Sequence, residues 1–382
     1  MPVMLEPVPP MLQGEGALED LGVHAARLAG AGSAVLLVAD PGLKASGMID
    51  AAAASLRAAG LAPAVFLDIK SDPTARQVDA GAAMARESGA RAVVALGGGS
   101  AMDAGKLVAA IAGGSAPAAH YALCAHPFPA GALPCICVPT TSGTGSETTR
   151  VCVIGDDTGA KQWYWGAELR AGLVVLDPAL TVGLPPHLTA ATGIDALVHA
   201  MEAATNRNAN PGNDVYAHAA IRLVMRHLET AVSRPTDIPA RAGMQLAAAF
   251  AGIAIDNAGT AIGHNIGHAL GSLRPIHHGR AVGVAMVATL AWNVADDDGA
   301  FAAVAEAMGL GRDAAAVPAA FERLMRATGV RLSLAGEFDG VTPAMLAAQM
   351  ARPENEAMRR SNRRAPDDAD MLRFAGAVLT QG

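Results

Sequence analysis

The stretch VVALGGGSAMDAGKLVAA, residues 93–110, has the pattern of a buried strand, a turn of three glycines and a helix. Short apolar runs of the same kind occur on both sides of it, and windows of helical period lie between them. The further runs are 34–40, 62–69, 133–141 and 171–180, and the helical windows include 47–60 and 74–90. Because strands that alternate with helices form a parallel sheet covered on both faces, the first half is predicted to be an α/β domain.

The pattern changes after residues 182–189, where Pro185 and Pro186 interrupt it. The remainder is helical in period and has no comparable strand run. We therefore predict two domains, an α/β domain over 1–185 and an all-helical domain over 186–382. A chain of 382 residues with 52% apolar side chains is large enough for two cores.

Composition excludes several classes of partner. The net charge is −7 and aromatic residues make up 3%, which argues against nucleic acid and against an anionic membrane surface. The start, MPVMLEPVPP, lacks the features of a secretory signal, and no window predicts a membrane span. We expect a cytoplasmic protein whose four cysteines are buried thiols in a reducing compartment, namely Cys124, Cys135, Cys137 and Cys152.

The glycine turn is a candidate phosphate site. The amides of Gly98, Gly99 and Ser100 would face an anion at the start of a helix, where the helix dipole favours negative charge. The spacing is not G-x-G-x-x-G, however, and a tight turn with Ser100 as helix cap explains it equally well.

A second loop, VPTTSGTGSETT at 138–149, supports the cofactor interpretation. Its small hydroxyl side chains beside glycines can donate to phosphate and carboxamide oxygens; they are Thr140, Thr141, Ser142, Thr144 and Ser146. Asp40, at the end of the first strand, can hold the ribose hydroxyls of an adenosine and would repel a 2′-phosphate, which favours NAD over NADP. Its alternative role is that of a turn former in ADPG. Together these features predict a Rossmann-like dinucleotide-binding domain.

The second half concentrates histidines. Four of the eleven lie in GHNIGHALGSLRPIHHG, residues 263–279. In the predicted helix 189–204, Asp195 and His199 are four residues apart and share one face; the stretch 241–271 is also predicted to be helical, with His264 and His268 one turn apart. Asp195, His199, His264 and His278 would offer three imidazoles and one carboxylate to a divalent first-row ion such as Fe²⁺ or Zn²⁺.

Each pair taken alone has an ordinary structural explanation, a surface hydrogen bond or a satisfied core histidine. Four titratable groups on an apolar background favour a metal, because a metal compensates the cost of burying them. Spacing alone leaves open whether His264 or His268 is the ligand.

These motifs resemble the iron-containing (group III) alcohol dehydrogenase family. The similar segments are ALGGGSAMDAGK, VPTTSGTGSETT, LDPALTVGLPPHLTAATGIDALVHAMEA and GHNIGHALGSLRPIHHG, spread over most of the chain. The resemblance implies a dinucleotide-binding α/β domain followed by an all-helical metal domain. It also implies dimers or higher homo-oligomers.

The resemblance assigns roles by position. It implies that the metal ligands are Asp195, His199, His264 and His278, and that His268 is the imidazole beside substrate and nicotinamide. It implies pyrophosphate contacts at Gly98, Gly99, Ser100 and Asp103, and contacts to nicotinamide ribose and phosphates at Thr140, Thr141, Thr144 and Lys161. His277 matches no ligand of the family.

The function expected from this resemblance is hydride transfer between NAD(H) and a small alcohol, aldehyde or ketone, with His268 as proton relay. Two alternatives belong to related enzymes: a maleylacetate-reductase-like activity on a carboxylated substrate, and a non-redox NAD and metal enzyme of the dehydroquinate-synthase type. A non-catalytic metal-binding helical protein is the third, and failure to bind NAD would favour it.

Overall fold

The computed structural model describes residues 4–156 and 160–381, which form two compact units. The α/β unit comprises 7–141 and 145–183. The helical unit comprises 184–381 together with residues 4–6 and Ser142–Thr144. These two short segments, which the sequence analysis assigned to the first domain, thus group with the helices.

The α/β unit contains a parallel sheet of six strands and a separate antiparallel hairpin. The strands are Met11–Gln13 (β1), Ala34–Ala39 (β2), Ala62–Phe66 (β3), Ala90–Gly97 (β4), Cys135–Pro139 (β5), Val151–Gly155 (β6), Lys161–Trp165 (β7) and Leu173–Leu176 (β8). The helices are Leu21–Ala29 (α1), Met48–Ala58 (α2), Ala75–Glu87 (α3) and Gly99–Ile111 (α4). The sheet order is β1-β8-β5-β4-β2-β3, and β6 pairs with β7.

The central strands are buried because helices cover both faces of the sheet, as their continuous apolar runs predict. Their register aligns the carboxyl ends: Ala39 pairs with Leu96 of β4, and Gly97 pairs with Pro139 of β5. The residues that follow these strands therefore meet at one edge of the sheet. This confirms the predicted α/β class.

Three strands were not predicted. β1 has only three residues at the sheet edge, too few for a periodic signal. The hairpin pairs Val151 of β6 with Trp165 of β7 and Gly155 with Lys161, in antiparallel register. Only alternate residues of β6 are buried and β7 begins with Lys161 and Gln162, so the hairpin lacks the continuous burial of the central strands.

One prediction about the cysteines was wrong. Cys135, Cys137 and Cys152 are buried as expected, but Cys124 is exposed. It lies in a turn whose backbone is left-handed, with φ 57° at Cys124. All four thiols are free.

The helical unit contains ten α-helices within the described part of the chain. They are Pro186–Thr205 (α5), Pro211–Ser233 (α6), Ile238–Ala258 (α7), Ile262–Leu273 (α8), His278–Val294 (α9), Ala300–Ala307 (α10), Val317–Ala327 (α11), Pro343–Met350 (α12), Pro353–Ser361 (α13) and Asp368–Thr380 (α14). The predicted helical stretch 241–271 is two helices, since α7 ends at Gly259, whose φ is 77°. A glycine in that conformation terminates a helix without steric cost.

Helix α5 lies at the centre of this unit. Every residue of it from Thr189 to Thr205 is buried, and it packs against α6, α7 and α9. Helix α7 is long and apolar enough to cross a membrane, but 67% of its apolar window is buried inside the protein, which is typical of a core helix.

Candidate metal centre and cofactor loops

Helix α5 supplies two of the predicted metal ligands. Asp195 and His199 are four residues apart, so both project from the same face of the helix. They are 2% and 5% exposed. The Asp195 Oδ1 to His199 Nε2 distance is 3.9 Å. An ionisable pair this deep in an apolar core requires compensation.

Two further helices complete the group. His264 lies in the first turn of α8, and His278 is the first residue of α9. The start of α9 approaches α5 closely because residue 279 is glycine: a Cβ there would lie 2.0 Å from the Ala191 carbonyl oxygen. No larger residue fits at this position without moving a helix, so Gly279 brings His278 to Asp195.

The four side chains converge on one point. One ligand atom from each lies within 4.8 Å of the others, and we call Asp195, His199, His264 and His278 the ligand cluster. Asp195 Oδ1 is 3.7 Å from His264 Nε2 and 3.6 Å from His278 Nε2. Ligands about 2.1 Å from a tetrahedral ion lie roughly 3.4 Å apart, so these separations suit a first-row cation with little adjustment.

The hydrogen bonds of the cluster are incomplete in the manner of a metal site. Among the residues that the structure describes, the buried atoms Asp195 Oδ1 and His264 Nε2 have no hydrogen-bond partner. Buried polar atoms in native proteins are nearly always paired, and leaving one unpaired costs about 1–3 kcal/mol. Both of these atoms face the common point, so a cation there would satisfy them together.

The electrostatics are consistent with a cation. Burial lowers the pKa of His199 to about 4, which leaves its imidazole neutral and able to ligate. Burial raises the pKa of Asp195, but the neighbouring histidines, His199 first, more than offset this and hold it below its ordinary value. The pKa of His264 is raised to about 9, because Glu202 and Asp195 outweigh the opposing effect of its burial. Two buried carboxylates thus require positive charge, which a proton or a metal can supply.

Two other histidines of the motif lie near the cluster. The His268 ring is half-buried, with its centroid 5.3 Å from that of His278 and 6.3 Å from that of His264. His268 is absent from the four-residue group, so the geometry selects His264 where spacing could not. His277 is exposed at the N-cap of α9.

Glu202, which was not among the predicted site residues, is 2% exposed and contacts His264. Its Oε2 lies 2.6 Å from His264 Nδ1. The signal was present in α5, where positions 195, 199 and 202 follow the i, i+4, i+7 spacing of one helix face.

The glycine turn occupies the start of α4, with Gly98 as N-cap. A Cβ on Gly98 would lie 3.4 Å from Thr141 Cγ2, so the turn adjoins the hydroxyl loop. Ser100 Oγ accepts a hydrogen bond from the Asp72 amide at 3.3 Å, and Asp72 Oδ1 is 2.9 Å from Lys161 Nζ. The structure thus brings Ser100, Thr141 and Lys161 to the same side of the α/β unit.

The other predicted cofactor residues divide between the units. The Thr140 amide donates to the Gly97 carbonyl at 2.9 Å, which holds the start of the hydroxyl loop beside the turn. Asp40 lies at the same sheet edge, and its Oδ1 accepts from the Gly42 amide at 2.8 Å. Asp40 therefore performs the turn-forming role through Oδ1, and its Oδ2 takes no part in that hydrogen bond. Thr144 groups with the helical unit.

Asp103 faces protein donors. Its Oδ1 accepts from Ser146 Oγ at 2.5 Å and its Oδ2 accepts from the Val153 amide at 2.9 Å. Burial raises its pKa, against the lowering effect of Lys106. These contacts hold the loop that carries Ser146, a role that sequence analysis did not predict.

Lys106, one turn further along α4, is fully buried and was also missed. Its Nζ donates at 2.7 Å to the carbonyls of Ser146 and Val151, and it also contacts the carbonyl and hydroxyl of Thr149 at 3.1 and 3.3 Å. We call Asp103, Lys106, Ser146 and Thr149 the lysine cluster. The available signal was a lysine five residues before the end of α4, in an otherwise apolar stretch of that helix.

Comparisons with known proteins agree with this geometry. Residues 9–178 match the family described as iron-containing alcohol dehydrogenase, and residues 189–376 match the C-terminal domain of the Fe-containing alcohol dehydrogenase family. The chain is 38% identical over 270 residues to long-chain-alcohol dehydrogenase 1 of Geobacillus thermodenitrificans, covering 70% of this chain and 68% of that protein.

Two further relatives extend the likeness. The NAD-dependent methanol dehydrogenase of Bacillus methanolicus is 33% identical over 316 residues, which are 82% of each chain. The crystal structure of sulfoacetaldehyde reductase from Bifidobacterium kashiwanohense, in complex with NAD⁺, superposes with a TM-score of 0.89 at 27% identity and covers all of both chains. The predicted resemblance is confirmed, and with it the oxidoreductase class: this chain belongs to the iron-containing alcohol dehydrogenase family.

Proposed function

We propose that this chain transfers a hydride between NAD(H) and a small alcohol or its aldehyde or ketone, with a divalent metal held by Asp195, His199, His264 and His278. The observation that supports this proposal most directly is the ligand cluster, whose buried Asp195 Oδ1 and His264 Nε2 face a common point without hydrogen-bond partners among the described residues. The donor set of three imidazoles and one carboxylate suits Fe²⁺, with Zn²⁺ as the alternative.

The protein residues prepare this chemistry. A divalent cation, when bound, supplies Lewis-acid polarisation of the substrate oxygen, and NAD supplies the hydride acceptor. Buried His199 stays neutral at neutral pH, so its ring nitrogen is available as a ligand. Gly279 holds His278 near Asp195, and Asp195 and His199 lie in a stretch of α5 whose residues are all buried.

His268 is the proposed proton relay. Its half-buried ring lies 5.3 Å from the ring of His278 and outside the group of four ligands. Imidazole exchanges protons near neutral pH, and general acid–base groups contribute roughly 100- to 10,000-fold to rate. We expect His268→Ala to lower turnover by about 100-fold and to leave metal content unchanged. Loss of metal in this variant would make His268 a ligand and contradict the assignment.

We propose that the cofactor is held by residues of the glycine turn and of the hydroxyl loop, together with Asp40 and Lys161. The group comprises Asp40, Gly98, Gly99, Ser100, Thr140, Thr141, Thr144 and Lys161. The first amides of α4 lie at a helix start, which favours the pyrophosphate. We propose that Asp103 contributes to the cofactor site indirectly, by holding the hydroxyl loop through Ser146, since protein donors occupy both of its oxygens.

The finer organisation is also proposed. Four free thiols and no disulfide among the described residues support a reducing, cytoplasmic compartment. The family resemblance supports a homodimer or larger homo-oligomer, which the mass in solution tests directly.

The decisive experiment combines metal analysis with a substrate screen. Protein purified without oxygen should contain close to one Fe²⁺ or Zn²⁺ per chain. It should also produce NADH absorbance with short alcohols or diols. Acid-bearing alcohols belong in the same screen, because one structural relative is named as a sulfoacetaldehyde reductase. Protein that binds neither metal nor NAD would refute the proposal, and metal and NAD binding without any NADH would favour the non-redox alternative.

A further inference from the structure

Glu202 is a buried carboxylate that touches a metal ligand and the helix that carries it. Both of its oxygens are used. Oε2 contacts His264 Nδ1 at 2.6 Å and accepts from the Ala261 amide at 2.7 Å. Oε1 accepts from the Gly263 amide at 2.6 Å and, more weakly, from the His264 amide at 3.4 Å. The carboxylate is separated from these partners by about sixty residues of chain, so only the tertiary fold brings them together.

The chemistry of these partners determines the state of the His264 ring. The three backbone partners of Glu202 are N–H groups, which can only donate. An ionised carboxylate can only accept, so His264 Nδ1 is the donor in its 2.6 Å contact with the Glu202 carboxylate. The hydrogen on Nδ1 leaves the Nε2 lone pair free when the ring is neutral. His264 Nε2 is the atom that faces the ligand cluster.

The sequence around His264 accommodates the carboxylate. A Cβ at position 263 would lie 2.8 Å from Glu202 Oε1, so a side chain there would push the carboxylate away. Helix α8 has no side-chain cap of its own at Ala261, and Glu202 takes that place from α5. The same carboxylate thus fixes both the backbone and the ring of His264.

We propose that Glu202 is a positioning residue for the metal centre, which holds His264 with its hydrogen on Nδ1 and its Nε2 directed at the metal. This inference rests on the ligand set in the proposed function. Helix α5 then contributes three residues to the metal centre from one face. Asp195 and His199 are ligands, and Glu202 orients the ligand His264. Carboxylates that orient a ligand histidine typically contribute 10- to 100-fold to metal affinity.

The test replaces the carboxylate by an amide of the same shape. Glu202→Gln replaces one of the two accepting oxygens by an NH₂ group. That NH₂ group then faces an N–H that previously donated to Glu202, so two donors meet. If the NH₂ faces His264, the ring must accept at Nδ1 and carry its hydrogen on Nε2, which blocks ligation. If it faces Gly263, the first turn of α8 is displaced. Either arrangement misplaces Nε2.

The matched control is Asp297→Asn. Asp297 lies in the same unit, and its two oxygens accept from the first-turn amides of α10, Phe301 at 2.8 Å and Ala302 at 3.2 Å. It has the capping role of Glu202 without a histidine. Both variants and the unmodified chain are stripped with a chelator, and their dissociation constants for Zn²⁺ and their thermal unfolding are measured.

We expect Glu202→Gln to weaken Zn²⁺ binding by 10- to 100-fold and Asp297→Asn to leave it within about twofold. In the zinc-loaded chain, the Nδ1–H of His264 should give a strongly hydrogen-bonded downfield NMR signal that moves upfield in Glu202→Gln. Equal Zn²⁺ affinity in Glu202→Gln and the unmodified chain would overturn the proposal, whatever the change in unfolding temperature, because Glu202 would then only cap α8. If the unmodified chain itself failed to bind Zn²⁺ or Fe²⁺, the proposed function would fall, and the role of Glu202 with it.

Discussion

The ligand cluster and the lysine cluster are both groups of buried ionisable side chains, yet their hydrogen bonding differs. In the lysine cluster, Lys106 Nζ contacts four oxygen atoms and the two oxygens of Asp103 accept from Ser146 and Val153. In the ligand cluster, Asp195 Oδ1 and His264 Nε2 have no partner within the described ranges of the chain.

This difference in hydrogen bonding distinguishes buried charges that stabilise the fold from buried charges that are available to bind a ligand. A buried ion whose hydrogen bonds are complete within the protein contributes to the folded state and has little left to offer a ligand. Buried atoms left without partners and aimed at one point raise the energy of the folded protein until something binds there. Deep burial alone does not distinguish the two, since Lys106 is as buried as His264.

The largest effect is expected from removing a ligand. His278→Ala should weaken metal affinity by at least about 100-fold, more than is typical for a residue that only supports a ligand, and activity should fall with it. Since the His278 side chain is 31% exposed, the metal-free protein should lose no more than about 1 kcal/mol of unfolding free energy. Metal analysis and urea unfolding of the stripped protein measure the two effects. A variant that keeps its metal would remove His278 from the cluster.

The converse is expected for the lysine cluster. Lys106→Met removes the donor from the Ser146 and Val151 carbonyls and leaves Asp103 without its buried partner, so we expect a loss of about 3–5 kcal/mol in unfolding free energy. Affinity for Zn²⁺ should not change. Exposed Lys44→Met is the control and should stay within about 0.5 kcal/mol. If Lys106→Met were as stable as that control, the contrast between the clusters would fail.

A pH experiment sharpens the comparison at Glu147, a buried residue beside the lysine cluster. Burial raises its pKa from an ordinary 4.5 to about 7. The folded protein therefore holds this proton more tightly than the unfolded chain, and stability falls as pH rises from about 4.5 to 7, by roughly 3 kcal/mol in total. Glu147→Gln should remove that decline, so its advantage over the unmodified protein should be greater at pH 8 than at pH 5 in urea unfolding. Parallel curves for the two proteins would contradict the shift.

The smallest effect is expected at Asp40. Its hydrogen bonding is intermediate between that of the two clusters, because Oδ1 accepts from the Gly42 amide and Oδ2 remains available to a ligand. Asp40→Ser removes a negative charge beside the proposed ribose site and should improve the ratio of NADP to NAD efficiency by about tenfold. Steady-state kinetics with both cofactors measure this ratio. Unchanged selectivity would leave Asp40 with its turn-forming role alone.

Much of the fold could be predicted because its signals are local. The runs at 34–40 and 133–141 became central strands, and Pro186 begins the central helix of the helical unit. The break at Gly259 was missed, because a helical pattern on both sides hides a turn between them. The hairpin β6–β7 was missed although its pairing is local, because half-buried alternate residues and the polar start of β7 give a weaker strand signal than a fully buried strand.

The sequence by itself determined the alternation of strands and helices, the change to an all-helical pattern, and the residue types able to hold a metal, because each of these is written in periodicity and spacing along the chain. Only the tertiary structure decided what spacing had left open and the resemblance had only implied, that His264 rather than His268 lies in the cluster. It also decided that Glu202 contacts His264 and that Lys106 meets backbone oxygens. The physical reason is that a hydrogen bond or a coordination site depends on distances of a few ångströms between residues far apart in the chain. Spacing along one helix sets which face a side chain occupies, while the packing of other helices against that face sets what it meets.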